Sequence, residues 1–449
     1  MRVARPLTAV GALALALAVP AAAGAADYPA PSNPGGGPKN PPKGGTLKVC
    51  KQGKKKNCFK TIQAAVDAAG KGTTIRVAAG TYKEGVKIQS PVKDGIKLIG
   101  DPKNPDKVVL EGKGAKSNQN GVQVNNADKV TIDGFYARDY KGNGFFVVNV
   151  DGYKMTHLKA GLVGTYGLYA FNAKGGEMSS SEAFYNNDSG FYVGQTPVQT
   201  KPKRTTLKNL VSWGNVLGYS GTNSRYVTIT KSKFFNNGLG IVPNVLDSEK
   251  YPPFEDNVIT DNDVFWNNYD YFQGAPFKLQ QSAVAADNLL YPVGTGILLF
   301  GGRRNQVENN RVWGNYLLGF GEINQIVLEG SSDPVLADAA ILRDNVVTAN
   351  DFGLAGADLN GRDMFYGGDG SGNCFAGNTL RSPTVPADGS TFVACGQTNV
   401  QNDSARNEGI GWSGDSSHEA NWVRNPHMAI EGITPLEHWT ADYPNPVVK

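Results

Sequence analysis

The stretch 121–194 decides the fold of this chain, because the sequences GVQV, GFFVV, GLYAF and GFYVG begin within it at Gly121, Gly144, Gly167 and Gly190. Each of these glycines follows the one before it by 23 residues. The glycine-led pattern continues with less even spacing at Gly218, Gly240, Gly296 and Gly319. A fixed period of this length is the sequence signature of a stacked repeat architecture.

One repeat unit contains three short runs of strand-forming residues. In the unit after Gly190 they are 191–193, 205–207 and 210–213. Runs this short cannot form helices and predict strands. Three strands per turn describe a coil, and coils stack about 4.8 Å apart, the hydrogen-bonding distance between strands. Each strand then pairs with its copy in the next coil, which predicts three parallel sheets around one core.

Asparagines precede the glycine-led strands. From the fourth unit on they are Asn187, Asn215, Asn237 and Asn315, and Asn268 and Asn350 hold the matching place where the glycine is displaced or missing. Asparagine tolerates the left-handed backbone conformation that a tight corner needs. Stacked in successive coils, these side chains are also expected to form a ladder of hydrogen bonds.

The segment 59–88, FKTIQAAVDAAGKGTTIRVAAGTYKEGVKI, predicts how the stack is closed at its beginning. One face of a predicted helix carries Ile62, Ala65, Val66 and Ala69, and Gly70 is its C-cap. The open end of such a stack exposes unpaired strand edges. We therefore expect this short amphipathic helix to lie across the end as a cap.

The N-N-x-x-G corners and the T-I-Q-x-A-V-D-A-A opening resemble the pectin-lyase-like superfamily of right-handed parallel β-helix proteins. The corners that carry the resemblance are Asn186, Asn187 and Gly190, and Asn236, Asn237 and Gly240. The expected fold class is all-β: a single right-handed parallel β-helix with three sheets, an N-terminal helical cap and an irregular C-terminal cap. The resemblance is specific for the fold and weak for an activity, because this fold hosts many chemistries.

The chain divides into four predicted segments. Residues 1–26 are a secretory signal, in which Arg2 and Arg5 precede an apolar run and a small-residue cleavage site. Residues 27–45 are rich in Pro and Gly and predict a flexible linker. The β-helix with its cap is expected over 46–355, and a C-terminal cap and tail over 356–449. The expected location is therefore extracellular, as a secreted protein with no membrane span.

Four cysteines in an exported chain suggest two disulfides. Cys50 and Cys58 lie beside the predicted cap, and Cys374 and Cys395 lie together beyond the repeat. Among the three possible connectivities we expect this local pairing. Each bond would then staple one end of the stack.

Charge is distributed unevenly along the chain. The first 116 residues hold 20 Lys and Arg against 7 Asp and Glu, although the whole chain carries a formal charge of only +4, so the remainder is acidic. The acidic body contains no aromatic-plus-basic motif, which argues against a nucleic-acid partner. The Lys-rich opening could contact anionic polymers, or it could be an ordinary solvated surface.

The segments that connect successive coils vary in length, and insertions of this kind usually shape a binding surface. Three long segments, 243–256, 269–295 and 322–338, are expected to wall a groove. Arg303 and Arg304 lie in a compact corner between them.

The resemblance implies a uronate polysaccharide lyase as one activity. Such an enzyme abstracts the proton α to a uronate carboxylate and needs a base together with a positive group. In some superfamily lyases arginine or lysine is the base and Ca²⁺ neutralises the carboxylate, so Arg303 and Arg304 are predicted as catalytic. The candidate Ca²⁺ ligands are Asp247, Asp256 and Asp287, with Glu249, Glu255 and Glu322 as further carboxylates. Each set could equally be ordinary surface or loop charge.

Aromatic residues recur two positions before the ladder asparagines. The alternation around Lys233 and Arg311 directs Phe235 and Trp313 outward, where they would bind sugar rings. Stacking of the aromatic residues on one another is the alternative.

Several signatures of known enzyme classes are missing. The chain lacks the N-T-D, D-D and G-H-G series of polygalacturonases, and no histidine lies between His157 and His418. It also lacks the G-R-x-D stretch of pectin methylesterases and the D-P-H-E stretch of alginate epimerases. The preferred interpretation is a monomer that engages extracellular polysaccharide, with a lyase activity left open. The alternative is a non-catalytic surface, matrix or adhesion scaffold.

Overall fold

The computed structural model describes residues 43–50, 58–268, 291–354 and 359–412. Parallel strands stacked in successive coils dominate these residues and form three faces around one interior. The predicted signal sequence at 1–26, most of the predicted linker at 27–45 and the tail at 413–449 lie outside the described residues.

Each face is a row of parallel strands. Two long strands, β8 (Val130–Arg138) and β10 (Asp151–Gly161), run through the corner between face 1 and face 2 and belong to both. Face 1 also contains β1 (Thr46–Val49), β2 (Thr74–Val77), β5 (Lys97–Ile99), β12 (Lys174–Ser179), β15 (Thr205–Lys208), β18 (Val227–Thr230), β21 (Val258–Thr260), β24 (Gln306–Glu308), β27 (Val346–Thr348) and β30 (Cys374–Ala376). Face 2 also contains β3 (Gly80–Tyr82), β6 (Val108–Glu111), β13 (Glu182–Phe184), β16 (Val211–Trp213), β19 (Lys233–Phe235), β22 (Asp263–Phe265), β25 (Arg311–Trp313) and β28 (Asp351–Phe352).

Face 3 contains the glycine-led strands. They are β4 (Val86–Gln89), β7 (Asn120–Asn125), β9 (Asn143–Val148), β11 (Leu168–Phe171), β14 (Ser189–Gly194), β17 (Leu217–Thr222), β20 (Leu239–Asn244), β23 (Thr295–Phe300), β26 (Leu318–Ile323), β29 (Met364–Tyr366) and β31 (Thr384–Val385). Faces 1 and 2 together form a 20-stranded sheet, and face 3 is an 11-stranded sheet. The predicted three-sheet parallel β-helix is therefore confirmed.

The register of face 3 follows the repeat read from the sequence. Phe145 pairs with Leu168, and Leu168 pairs with Phe191, so positions 23 residues apart stack directly on one another. Side chains alternate between the two sides of each strand. Phe191 and Val193 join the interior core, and Tyr192 between them belongs to a separate cluster on the outer side. The outward-facing position of one coil therefore stacks directly on the outward-facing position of the coil before it.

An asparagine ladder lies at the corner between face 2 and face 3, but its members differ in part from the prediction. They are Asn186, Asn215, Asn237, Asn267, Asn315 and Asn360, and each is bonded to the side chain of the next at 2.8–3.3 Å. Asn186, Asn267 and Asn360 replace the predicted Asn187, Asn268 and Asn350. The residue with the left-handed backbone lies one position before the ladder asparagine, as Tyr185 does before Asn186 and Asn236 before Asn237. An N-N pair in the sequence therefore does not show which of its two asparagines turns inward.

Two further ladders lie at the other two corners of the coils. Asn262, Asn310, Asn350 and Asn378 form one between faces 1 and 2. Asn257, Asn305, Asn345 and Asn373 form the other before face 1. The spacing of five residues between Asn305, Asn310 and Asn315 is the sequence signal that would have revealed all three ladders together.

The helix α1 (Ile62–Ala68) caps the first coils as predicted. The carboxylate of Glu84 accepts from the backbone amides of Ile62 and Gln63 at 2.9 and 3.0 Å, so two of the free amides at the N-terminus of α1 have hydrogen-bond partners. The buried ammonium group of Lys93 donates to the carbonyls of Val66 and Ala69 at its C-terminal end, at 2.7 and 2.6 Å. The cap is therefore held at both ends by side chains from the coils below it.

The stacked strands continue beyond the predicted boundary at residue 355. Strands β29, β30 and β31 extend the coils to Val385, and their short length and glycine-rich connections hide the repeat in the sequence. The helix α4 (Asp403–Trp412) follows and packs against β29. The helices α2 (Ile326–Glu329) and α3 (Pro334–Ala339) lie in the long connection after β26.

Both predicted disulfides are present, Cys50–Cys58 beside the cap and Cys374–Cys395 at the last coils. Each joins residues near one end of the stack, as expected from their positions. No helix in the described part of the chain is long and apolar enough to cross a bilayer.

Candidate functional site

Long connections flank the outer side of face 3. The connections 245–257 and 324–345 leave face 3 toward face 1, whereas the predicted segment 269–295 enters face 3 from face 2. Residues 269–290 of that segment lie outside the described part of the chain. The two fully described walls therefore adjoin one edge of face 3, and residues 291–295 enter it at the opposite edge, which makes its outer side the candidate site.

The centre of this outer side is a tyrosine paired with a glutamate from the first wall. The hydroxyl of Tyr192 on β14 donates to Oε1 of Glu249, which lies 57 residues further along the chain. Ser220, the partner of Tyr192 on the next strand, and Thr222 and Asn244 continue the polar surface. The Thr222 hydroxyl donates to Oδ1 of Asn244 at 2.7 Å.

Side chains at the end of face 3 fix the position of Glu249. The side-chain amide of Asn223 donates to the carbonyls of Leu246 and Glu249 at 2.7 and 2.6 Å. The backbone amide of Lys250 donates to Oε1 of Gln195 at 2.9 Å. Both Asn223 and Gln195 have positive φ, which directs them away from the strand and toward the wall. The connection is thus pinned on both sides of the glutamate.

A glycine makes room for this pair. A Cβ atom at Gly194 would lie 2.4 Å from the Tyr192 ring and 2.6 Å from Oε2 of Glu249. Contacts this short do not occur, so any side chain at position 194 would displace the tyrosine or the glutamate. The glycine that ends β14 is therefore needed for the close approach of the two groups.

The environment shifts both titratable groups of the pair. Burial raises the pKa of Glu249 to about 8, and the hydrogen bond from Tyr192 opposes that rise only in part. Burial, followed by the charge of Glu249, raises the pKa of Tyr192 well above its usual value. Oε2 of Glu249 is buried and accepts no hydrogen bond from the described residues. A carboxyl group that titrates near neutral pH can both take and give a proton.

A second acidic group lies at the other end of the same strand. Oδ1 of Asp188 accepts from the Ser189 hydroxyl at 2.6 Å, and burial raises the pKa of Asp188 to about 6. Tyr291, which follows the second wall, has its own pKa raised by burial and then by the charge of Asp188. Carboxylates therefore stand at both ends of β14, and each has a tyrosine near it.

The outer side becomes apolar toward the C-terminal coils. A pocket there, with about 360 Å³ of empty space including its open mouth, lies between face 3 and α4. Its lining includes Leu298, Phe300, Ile323, Phe365 and Trp412. The candidate site thus has a polar centre with an apolar end.

The predicted catalytic arginines lie in ion pairs at the compact corner. Arg304 donates to both oxygens of Asp256, at 2.8 and 3.0 Å, and to Oε2 of Glu255 at 2.6 Å. Arg303 donates to the Asp338 carboxylate at 3.1 Å. Hydrogen bonding to Asp256 is the main cause that raises the pKa of Arg304, which keeps it protonated. This geometry suits a fixed positive charge better than a base.

Arg304 also anchors the first wall, together with Arg225. The buried Arg225 donates through Nε to Oε1 of Glu255 at 3.1 Å, on the carboxylate whose other oxygen binds Arg304. Arg225 further donates to the carbonyls of Tyr251 and Pro253 at 3.0 and 3.2 Å. The wall that carries Glu249 is consequently fastened at its far end by Arg225 and Arg304.

The predicted sugar-binding aromatics form a column on the outer side of face 2. Phe235 and Trp313 both stack on Phe265. Their ring centroids lie 5.1 and 4.5 Å, respectively, from the centroid of the Phe265 ring. They face outward, as the alternation indicated, yet they are only 1% and 2% exposed. Their burial gives no support to sugar binding and favours the alternative of mutual stacking.

The predicted Ca²⁺ ligands do not come together among the described residues. Asp247 is exposed, Asp256 is paired with Arg304, and Asp287 lies outside the described part of the chain. No group of three or more His, Cys, Asp and Glu side chains is placed to hold a metal ion in the ranges that the structure describes.

Sequence reasoning did not single out Tyr192 and Asp188, and it considered Glu249 only as a metal ligand. Tyr192 could have been found from alternation within GFYVG, because the residue between two core positions faces outward. The contact with Glu249 could not, since it depends on the path of the wall.

Comparisons with known proteins agree with the architecture. The sequence of residues 76–316 matches the family described as a right handed beta helix region. No curated protein sequence matches the chain. Among solved structures, the A-modules of the Azotobacter vinelandii mannuronan C-5 epimerases AlgE4 and AlgE6 are 15% and 16% identical. The first match covers 72% of this chain and 92% of the module with a TM-score of 0.49, and the second covers 75% and 94% with 0.45.

The pectate lyase Pel9A is 13% identical, with coverage of 76% of this chain and 78% of its own and a TM-score of 0.38. No activity follows from likenesses this distant.

Proposed function

The chain belongs to the right-handed β-helix family, and on that basis we propose that the outer side of face 3 binds an extended polysaccharide on which Glu249 and Tyr192 transfer protons. The observation that carries the proposal is the pairing of Glu249 with Tyr192 beside a wall of the face. The two disulfides fit the export that the signal sequence predicts, because such bonds persist in oxidising compartments.

The shape of face 3 supports a polymer as the ligand. Its 11 parallel strands present equivalent outer positions about 4.8 Å apart along the axis of the coils. A surface that repeats in one direction complements a chain of repeating units better than a compact molecule. Connections at both edges would keep such a chain aligned with the axis.

The proposed reaction is β-elimination at a uronate unit. The Glu249 carboxylate takes the proton from C5, the electron pair forms the C4–C5 double bond, and the C4–O glycosidic bond breaks. The departing oxygen takes the hydroxyl proton of Tyr192. Glu249 then returns its proton to Tyr192 through the hydrogen bond that joins them. A carboxyl group with a pKa of about 8 supports both halves of this exchange near neutral pH.

Arg303 and Arg304 keep a proposed part in this site. Since both are held in ion pairs, their proposed contribution is positive charge and support of the wall that carries Glu249. Replacing Arg304 by alanine should release Glu255 and Asp256 and lower activity through the position of Glu249. Full activity of this variant would remove Arg304 from the site, and full activity of Arg303→Ala would remove Arg303.

The test is the absorbance of unsaturated uronate during incubation with pectate, alginate and glycosaminoglycan, each with and without Ca²⁺. With the substrate found, Glu249→Gln should lower the rate by about 10²–10⁴-fold, the usual size of a lost acid–base group. Glu308→Gln is the matched control, because Glu308 lies on face 1. It should leave the rate unchanged.

The scaffold function is the second candidate, and the burial of Tyr192 at 3% exposure favours it. Absence of product from all three polymers, together with no retardation of the protein in gels that contain them, would reject the lyase in favour of the scaffold. Retardation without product would keep polysaccharide binding and reject the proton transfer.

A further inference from the structure

A second buried glutamate on face 3 points into the coil. Glu322 on β26 pairs in register with Leu299 on one side and Tyr366 on the other, and both of those side chains belong to the interior core. Glu322 is 0% exposed. Neither of its carboxylate oxygens accepts a hydrogen bond from any residue that the structure describes.

Asp369 stands beside it in the turn after β29. It is 5% exposed, and its Oδ2 is also buried without a hydrogen-bond donor among the described residues. Its Oδ1 lies 3.0 Å from Nε of Arg406 on α4. The backbone carbonyl of Asp369 accepts from the hydroxyl of Tyr366, which is the register partner of Glu322, so the two acidic residues adjoin the same tyrosine. The charge of Asp369 adds to burial in raising the pKa of Glu322.

The Tyr366 hydroxyl between these two residues is engaged elsewhere. The Tyr366 hydroxyl donates to the backbone carbonyl of Asp369 at 2.6 Å and accepts from the Asn373 side chain at 3.0 Å. The remaining charge nearby is Glu329, which pairs with Arg406. Three carboxylates therefore face one guanidinium, an excess of two negative charges when all are ionised.

Buried carboxylate oxygens without donors are costly, and such groups in a native protein call for a specific partner. Oxygen ligands together with a double negative charge match a hard divalent cation. We propose that Glu322 and Asp369 bind such a cation inside the C-terminal coils, through Glu322 Oε1 and Oε2 and Asp369 Oδ2. Ca²⁺ is the first candidate because it accepts irregular coordination, whereas Mg²⁺ demands near-octahedral geometry and retains water.

The exposure of the acidic groups decreases from the surface to this site. The side chain of Glu329 is 38% exposed and that of Asp369 is 4% exposed, while Glu322 is fully buried. Arg406 lies between the outer two and ties α4 to the last coils. Cation binding would consequently stabilise the C-terminal end of the β-helix, independently of any activity on the outer side of face 3.

The experiment uses the full chain stripped with a chelator, with Ca²⁺ and Mg²⁺ titrated separately by calorimetry at about pH 7 and about pH 9, because ligation requires deprotonated carboxylates. We expect one Ca²⁺ per chain, tighter binding at the higher pH and a higher Tm on addition of Ca²⁺. Glu322→Gln and Asp369→Asn should each weaken Ca²⁺ binding more than about tenfold, at least the loss seen for outer-shell partners.

The matched control is Glu308→Gln, which alters a glutamate on face 1 and should keep the full response to Ca²⁺. Absence of binding heat and of a Tm shift in the unaltered chain at both pH values would overturn the proposal and leave Glu322 as a protonated core residue. Unchanged Ca²⁺ binding in folded Asp369→Asn would also overturn it, even if Glu322→Gln failed to fold.

Discussion

A glutamate lies on each side of face 3, and the two have different surroundings. Glu249 approaches the outer side from a connection, is paired with Tyr192, and is held through hydrogen bonds to its backbone and its neighbours. Glu322 belongs to a strand, points to the inner side, and has no hydrogen-bond partner among the described residues. Burial raises the pKa of each to about 8.

The difference shows that a shifted pKa alone does not identify a catalytic residue. Glu249 has a tyrosine that can exchange a proton with it, and it lies beside a long surface. Glu322 is enclosed between Leu299 and Tyr366, where a polymer has no access. We therefore propose a chemical role for the outer glutamate and a role in stability for the inner one.

The largest expected effect concerns the stability of the inner side against pH. The pKa of Glu322 rises from 4.5 in the unfolded chain to about 8 in the folded protein. The folded state therefore retains a proton that the unfolded state has lost, so stability falls as pH increases from about 4.5 to about 8. A shift of this size corresponds to about 5 kcal/mol.

This dependence can be measured by urea unfolding at a series of pH values in the presence of a chelator. Glu322→Gln should flatten the fall, and Ca²⁺ should reduce it in the unaltered chain. If the stability of Glu322→Gln has the same pH dependence as that of the unaltered chain, a raised pKa of Glu322 is not the cause of the fall in stability.

The next effect concerns the activity of the outer side. If Glu249 is the base, kcat/KM should rise about tenfold per pH unit below about 8 and then level off. Tyr192→Phe should lower the plateau by about 10²-fold, because the departing oxygen loses its proton donor. A pH–rate profile of each variant checks this, with Glu322→Gln expected to retain the profile of the unaltered chain.

A smaller effect on stability is expected when a fully hydrogen-bonded asparagine inside the coils is replaced. The Asn315 side chain donates to the carbonyls of Val264 and Trp313 and to Asn360 at 3.1–3.3 Å, and it accepts from Asn267 at 3.0–3.1 Å. Asn315→Ala should therefore destabilise the protein by about 2–3 kcal/mol, since buried partners lose their hydrogen bonds.

Urea unfolding measures this change, and Asn104→Ala is its control, because Asn104 is exposed and makes no side-chain capping hydrogen bond. Equal stabilities of the two variants would contradict a stabilising ladder. The inner side would then depend on apolar packing alone.

The smallest expected effect tests the space beside Tyr192. Gly194→Ala should cost about 1–3 kcal/mol of stability through overpacking and should lower activity by moving Tyr192 or Glu249. Gly330→Ala is the matched control, because a Cβ atom there meets nothing within 4 Å. Thermal unfolding and the uronate assay check both variants, and an active, fully stable Gly194→Ala would show that the pair does not need this glycine.

Much of the fold could be predicted because the repeat acts locally. The spacing of 23 residues from Gly144 to Gly190 fixes the register of face 3, and the pattern in 59–88 fixes the cap. The two disulfides followed from cysteines that are near each other in sequence.

The site was predicted less completely. Two of the three predicted walls, 243–256 and 322–338, leave the same edge of face 3, but Phe235 and Trp313 proved to be buried and Arg304 proved to be held by Asp256. Alternation gives the side of a strand to which a residue points, and it cannot show what covers that side.

The amino-acid sequence by itself determined the period, the parallel stacking and the closure of the ends, because each depends on spacing within one or two coils. Only the tertiary structure decided which asparagine of a pair turns inward, that Glu249 contacts Tyr192, and that Glu322 faces the core. These outcomes depend on the path of the corners and connections. A shift of one residue at a corner exchanges inside for outside, and nothing in the local pattern prevents it.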